Sequence, residues 1–186
     1  VGDLTRNFSV SEFTRSDKAD ELGIDNVPTE EARANLKALC QYILQPLRDA
    51  LGPVSVSSGY RNPELNTAVG GVQNSFHARG LAADINVQGM TAEDLALWIA
   101  DSALPYAELI LEYPANGNDP WVHVAFNGTA NPDREQWTYV NAGSRNVVKL
   151  PGIVPHQAKA VEVLATSNKS LLLASVLLLG YALLSE

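Results

Sequence analysis

The chain has one cysteine, one methionine and three histidines in 186 residues. A lone thiol, Cys40, excludes an internal disulfide framework and a cysteine-rich zinc site. There is no basic excess either: 13 Lys and Arg face 21 Asp and Glu, a formal net charge of −8. A nucleic-acid binder must neutralise phosphates with clustered Lys and Arg, so no nucleic-acid partner is expected. Charged residues at 18% and hydrophobic residues at 46% exclude disorder over the whole chain. No internal repeat or low-complexity tract is present. Val1 and Gly2 open no signal-peptide pattern of basic and then apolar residues.

Long apolar runs are missing from residues 1–150, which mix polar and apolar positions as a globular domain does. Residues 151–169 contain Pro151, Gly152 and Pro155 and read as a linker. Residues 170–185 then carry no charge and are apolar on every face. Such a segment predicts a C-terminal hydrophobic helix. At 1.5 Å per residue it reaches about 24 Å, short of a bilayer core of about 30 Å but within what local thinning and a snorkelling Lys169 accommodate. A membrane anchor is therefore expected there. His156 reads as a solvated linker residue.

Within the domain, Thr29 is placed to cap a helix whose first turn holds Glu30 and Glu31, where negative charge meets the positive helix end. Ala32, Leu36, Leu39, Cys40, Ile43, Leu44 and Leu47 recur at steps of three and four, so one face is buried, Cys40 with it. Pro46 is expected to kink or break the last turn. Asn62-Pro63 followed by Gly70-Gly71 predicts a short helix, and Thr91 with Asp94 begins another. Strands are expected at 54–58, 81–86, 108–113, 121–126 and 146–150. Helices and strands in little regular alternation indicate an α+β fold, a small antiparallel sheet with flanking helices.

Two of the histidines stand in unusual company. Ser75-Phe76-His77-Ala78-Arg79-Gly80-Leu81-Ala82-Ala83-Asp84 sets a histidine seven residues before an aspartate that lies in a strand. In Trp121-Val122-His123-Val124-Ala125-Phe126, His123 shares a strand face with Trp121 and Ala125. Two histidines and a carboxylate suit a three-ligand zinc site with a fourth position open, the catalytic pattern. Taken singly, His77 also fits a turn cap and His123 a half-buried structural histidine. Trp98, Trp121 and Trp137 are too dispersed along the chain to suggest a carbohydrate platform.

The pattern Ser75-x-His77-x-x-Gly80-x-Ala82-x-Asp84, followed by Trp121-Val122-His123-Val124, resembles the D-Ala-D-Ala carboxypeptidase-like zinc metallopeptidases. That family includes van-type dipeptidases and phage endolysins. The segments 8–16, 22–26, 47–52 and Ser57-Ser58-Gly59-Tyr60-Arg61 are similar to its compact phage and bacterial branch. The resemblance implies that His77, Asp84 and His123 bind Zn2+. It implies that Arg61 holds a substrate carboxylate or a developing oxyanion, with Ser75 and Tyr60 also near substrate. Many members place an acid three residues before the last histidine, where this chain has Pro120. Glu112, on the expected strand 108–113, and Asp119, in the loop before His123, are then the two candidates for the general base.

Together these features imply a membrane-tethered zinc peptidase acting on peptidoglycan stem peptides and facing the wall. A lipid-containing phage particle is one setting, with virion proteins as neighbours. The competing reading, favoured by Pro120, is a zinc-containing structural or wall-binding protein that has lost catalysis.

Overall fold

The computed structural model describes residues 2–144 and 146–155; the expected helix at 170–185 and His156 lie outside them. The described part is an α+β unit. Its helices are α1 (Val10–Thr14), α2 (Asp17–Leu22), α3 (Glu30–Leu39), α4 (Gln45–Leu51), α5 (Pro63–Ala68) and α6 (Ala92–Asp101). Its strands are β1 (Val54–Ser58), β2 (Ala82–Val87), β3 (Glu108–Pro114), β4 (Trp121–Ala125), β5 (Glu135–Ala142) and β6 (Val148–Pro151).

Thr29 caps α3 as anticipated, its hydroxyl accepting the Ala32 N–H. Pro46 neither ends the helix nor stands alone as a kink. Cys40–Leu44 form a π-helical turn that hands α3 on to α4, with the Gln45 N–H reaching the Cys40 carbonyl five residues back. Proline lacks the N–H for an ordinary i→i−4 bond and its ring crowds that carbonyl; widening the turn just before it removes the conflict. The apolar stripe survives, with Leu36, Leu39, Cys40, Ile43, Leu44 and Leu47 all fully buried. Burial pushes the Cys40 thiol well above the ordinary range, with nearby Glu12 and Asp3 adding to the effect. It is an inert core residue.

Among the described residues the strands form one sheet in the order β1-β2-β4-β3-β5-β6. The expectation of a purely antiparallel sheet needs one correction: β5 runs parallel to β3. Strands β3 and β4 form an antiparallel hairpin, so β4 ends beside the start of β3, Ala125 opposite Glu108. A chain leaving that end toward the free edge of β3 must run alongside it, and Glu135 accordingly also pairs with Glu108. Arg134 secures the crossing, donating to the carbonyls of Ala100, Ser102 and Leu104 at the end of α6. After β6 the chain stays attached through Val154, whose N–H donates to Thr138 Oγ1.

The sheet has two unlike faces. Ala83, Ile85, Leu109, Leu111, Val122 and Val124 point to one side and share a buried core with α3, α4 and α6. Residues one step away in each strand point to the other side, toward the segment 59–80, and it is there that the polar residues gather.

Candidate metal centre

The register of the sheet assembles the open face. Asp84 of β2 stands opposite His123 of β4, and His123 stands opposite Ile110 of β3. Ile110 is flanked on its own strand by Glu108 and Glu112, which stand opposite Ala125 and Trp121. Farther out, Trp137 pairs with Ile110 and Tyr139 with Glu112. The tryptophans that are dispersed in sequence are thus partly gathered: Trp121 and Trp137 share this face, while Trp98 packs against the core.

His77 arrives from above the sheet, on a 3₁₀ turn (His77–Arg79). Ser75 Oγ accepts the His77 N–H at 3.2 Å, so the serine shapes the turn that presents the imidazole. Gly80 closes the turn at φ +72°, and a Cβ there would lie 2.5 Å from the Ala32 carbonyl oxygen. Only glycine fits both the left-handed backbone and the close approach to α3. Gly59 is equally confined, since a Cβ would lie 2.7 Å from Phe13 Cα. Its carbonyl oxygen lies 2.7 Å from His77 Nδ1. That contact fixes the ring and turns Nε2 toward the sheet.

Three donor atoms converge. His77 Nε2 and His123 Nδ1 are 3.1 Å apart. Asp84 Oδ1 is 3.3 Å from the first and 2.9 Å from the second. The ligand atoms of His77, Asp84 and His123 all lie within 4.8 Å of one another. His77 and His123 are buried, at 3% and 6% exposure. Two imidazole nitrogens facing each other across a carboxylate, with little water to separate them, are a donor set that fits a divalent cation with nitrogen and oxygen preference.

The electrostatics of the metal-free site reflect that crowding. Burial disfavours charge on Asp84, but His77 and His123 beside it hold its carboxyl well below the usual range. Burial likewise opposes a charge on His123, yet its hydrogen bonds to Asp84 and Glu108 push it up to about 10. Burial holds His77 below its ordinary value. In the metal-free protein, then, His123 carries the proton and Asp84 the negative charge.

Glu112 lies on the same face. Burial, then the charge of Asp84, pushes its carboxyl up to about 7, opposed by His123 and Arg61. Trp121, directly opposite it, contributes to that dry setting. Arg61 is half-buried; its charge acts on Asp84 and Glu112, and its Nε has no hydrogen-bond partner. The other candidates fall elsewhere. Asp119 is exposed and lines a separate cavity of about 340 Å³ with Glu93, Tyr113 and Asn141. Tyr60 is 3% exposed and belongs to the core, so its ring supports the cleft from within. A larger cavity, about 560 Å³ between α1, α2 and the start of α3, holds none of these residues; size does not mark the site.

One residue went unnoticed in the sequence. Glu108 Oε1 lies 3.3 Å from His123 Nε2, within ion-pair range though off the direction of a full hydrogen bond. Its four-residue separation from Glu112 in an alternating strand was the available signal, since both must then share a face.

The family model of peptidase M15 matches residues 6–125. The chain belongs to that family. It is also 37% identical over 90 residues to the zinc D-Ala-D-Ala carboxypeptidase of Streptomyces albus G, a stretch that is 46% of this chain and 34% of that protein. The match thus spans about a third of the length of that curated relative. As a member of the M15 peptidases, the chain carries all three converging donors within the matched segment, whereas β5 and β6 lie beyond it.

Proposed function

We propose that this chain is a zinc-dependent peptidase acting on the stem peptides of peptidoglycan. The observation that carries the reading is the convergence of His77, Asp84 and His123 beside a carboxyl group, Glu112, pushed up to about 7. Family membership and the streptomycete carboxypeptidase support it.

His77, Asp84 and His123 would hold the zinc. Bound there, zinc polarises a carbonyl and makes water acidic near neutral pH. Glu112 takes the proton of the attacking water and passes it to the leaving amine. Arg61, whose Nε has no hydrogen-bond partner and whose charge acts on Asp84 and Glu112, offsets charge on the carbonyl oxygen or holds a substrate carboxylate. The half-exposed Trp121, Trp137 and Tyr139 extend the open face along which a peptide can lie.

The non-catalytic alternative draws on Pro120, which replaces the acid many relatives carry. Glu112 answers it, since an acid from the neighbouring strand faces the same donors. The full chain should contain about one equivalent of zinc and cleave muropeptides. Glu112→Gln should keep the zinc and slow cleavage by roughly 10²–10⁴-fold. Asp119→Asn should leave the rate nearly unchanged. A parent chain that binds zinc and cleaves no muropeptide would favour the alternative.

We also infer that residues 170–185 tether the peptidase to a bilayer and hold it facing the wall, a lipid-containing phage particle being one setting. Their charge-free composition supports this. Among the described residues no helix is long and apolar enough to cross a membrane. Full-length protein should partition with lipid or detergent, and a chain ending near residue 168 should not. Equal solubility of the two would reject the tether.

A further inference from the structure

We propose that Glu108 is a positioning residue for His123: its carboxylate accepts the Nε2 proton of the imidazole, locks the ring, and leaves Nδ1 as the metal-facing nitrogen. This rests on the zinc reading of the His77–Asp84–His123 cluster.

The direction of the His123 ring carries the argument. Asp84 Oδ1 and His77 Nε2 lie 2.9 Å and 3.1 Å from its Nδ1. The shared donor space is therefore on the Nδ1 side. Nε2 points the opposite way, and Glu108 Oε1 lies 3.3 Å from it, within ion-pair range and short of hydrogen-bond direction in the metal-free protein. A neutral imidazole that ligates through Nδ1 must carry its proton on Nε2. In a residue only 6% exposed, that N–H needs an acceptor.

The sheet makes room for one. Glu108 and His123 are diagonal neighbours, since Glu108 stands opposite Ala125 and Ile110 opposite His123. Diagonal positions are about 7–8 Å apart at Cα, so only a long side chain spans them. Ala125, and Ala82 beyond it, have no bulk to block the lane along which Glu108 reaches. Its side chain is 24% exposed, so the carboxylate keeps some contact with water.

The arrangement also repeats on the other histidine. His77 ligates through Nε2 and sets its Nδ1 against the Gly59 carbonyl at 2.7 Å. Each imidazole thus has an oxygen behind it, a hydrogen-bonded backbone carbonyl for His77 and a carboxylate in ion-pair range for His123. An acceptor behind a ligating histidine fixes its tautomer and strengthens its basicity, and losing it typically weakens metal binding by about 10–100-fold. The same geometry separates Glu108 from catalysis, because it lies behind the ring.

The test measures the zinc dissociation constant of the full chain by competition with a chromogenic chelator, together with thermal unfolding of the metal-free protein. Glu108→Ala should weaken zinc binding by about 10–100-fold. Glu108→Gln, whose side-chain carbonyl still accepts, should restore most of that loss. Glu108→Leu fills the lane without an acceptor and should behave like Glu108→Ala, which keeps the test intact if the smaller residue unfolds the chain. Unchanged zinc affinity in the alanine and leucine variants, even with a lowered melting temperature, overturns the proposal. So does a glutamine variant as weak as alanine. A parent chain that binds no zinc overturns the proposal and the reading beneath it; a parent that binds zinc with Glu108 indifferent overturns the proposal alone.

Discussion

Replacing Glu112 by glutamine should make the metal-free protein more stable at alkaline pH while removing its activity. The carboxyl is pushed from 4.5 up to about 7, first by burial and then by the charge of Asp84. Between those values the native chain holds a proton that the unfolded chain releases. The contribution of this group to stability therefore falls as pH rises through the window from 4.5 to about 7. At about 1.36 kcal/mol per unit the full shift is worth about 3 kcal/mol. Water reaching the half-buried carboxylate screens part of that, leaving about 1–3 kcal/mol. Glutamine copies the shape of the protonated acid and never ionises. Urea unfolding of the metal-free parent and Glu112→Gln should give near-equal stabilities at about pH 4.5. By about pH 8 the variant should be ahead by about 1–3 kcal/mol. Zinc should narrow the gap, because a cation beside Glu112 favours its ionised form. A constant offset between the two proteins across this range, or a variant less stable at pH 8, would refute the argument that the site is held dry around a costly charge.

Two other outcomes follow from the geometry. Because His123 is pushed up to about 10 in the metal-free protein, zinc must displace its proton; apparent zinc affinity should climb with pH from 6 to about 9, and proton release on binding should be visible by calorimetry in buffers of different ionisation enthalpy. Gly80→Ala forces a residue with a side chain to φ +72° and sets its Cβ against the Ala32 carbonyl; it should lower stability by at least about 1–3 kcal/mol in denaturant unfolding and displace His77, so zinc affinity should fall as well.

What the sequence made legible follows the physics of each element. The long apolar stripe from Ala32 to Leu47 was readable because burial imposes its period directly on composition. The same holds for β1 to β4, whose core faces are Val, Ile and Leu apart from Ala83. Strand β5 was not anticipated. Its large residues, Trp137 and Tyr139, lie on the open face, while Thr138 and Val140 are buried, so the usual alternation is inverted. Its parallel partner is also distant in sequence, and no local signal encodes that pairing. Helices α1 and α2 have five and six residues, too few to show a period. The capping-box pair Ser9 and Glu12 was a local signal for α1 that the sequence reading did not use. Pro46 was expected to kink or locally break the last turn; the interruption is there, as a π turn at Cys40–Leu44, a form composition cannot show.

The site itself divides along the same line. The spacing of His77 and Asp84 was visible because a turn and a strand connect them locally. The division of labour between Glu108 and Glu112 was not, since strand alternation puts both on one face and distinguishes them in no other way. What separates them is the orientation of one ring. His123 stands opposite Ile110, midway between the two acids, and Asp84 fixes its Nδ1 edge. Glu112 feels the charges of Asp84, His123 and Arg61 and, more weakly, of Glu108. Glu108 meets Nε2, behind it. The contact between Glu108 and His123 thus bears on the tautomer that turns Nδ1 to the donors, and loosening it should degrade metal binding first and activity only through the lost metal.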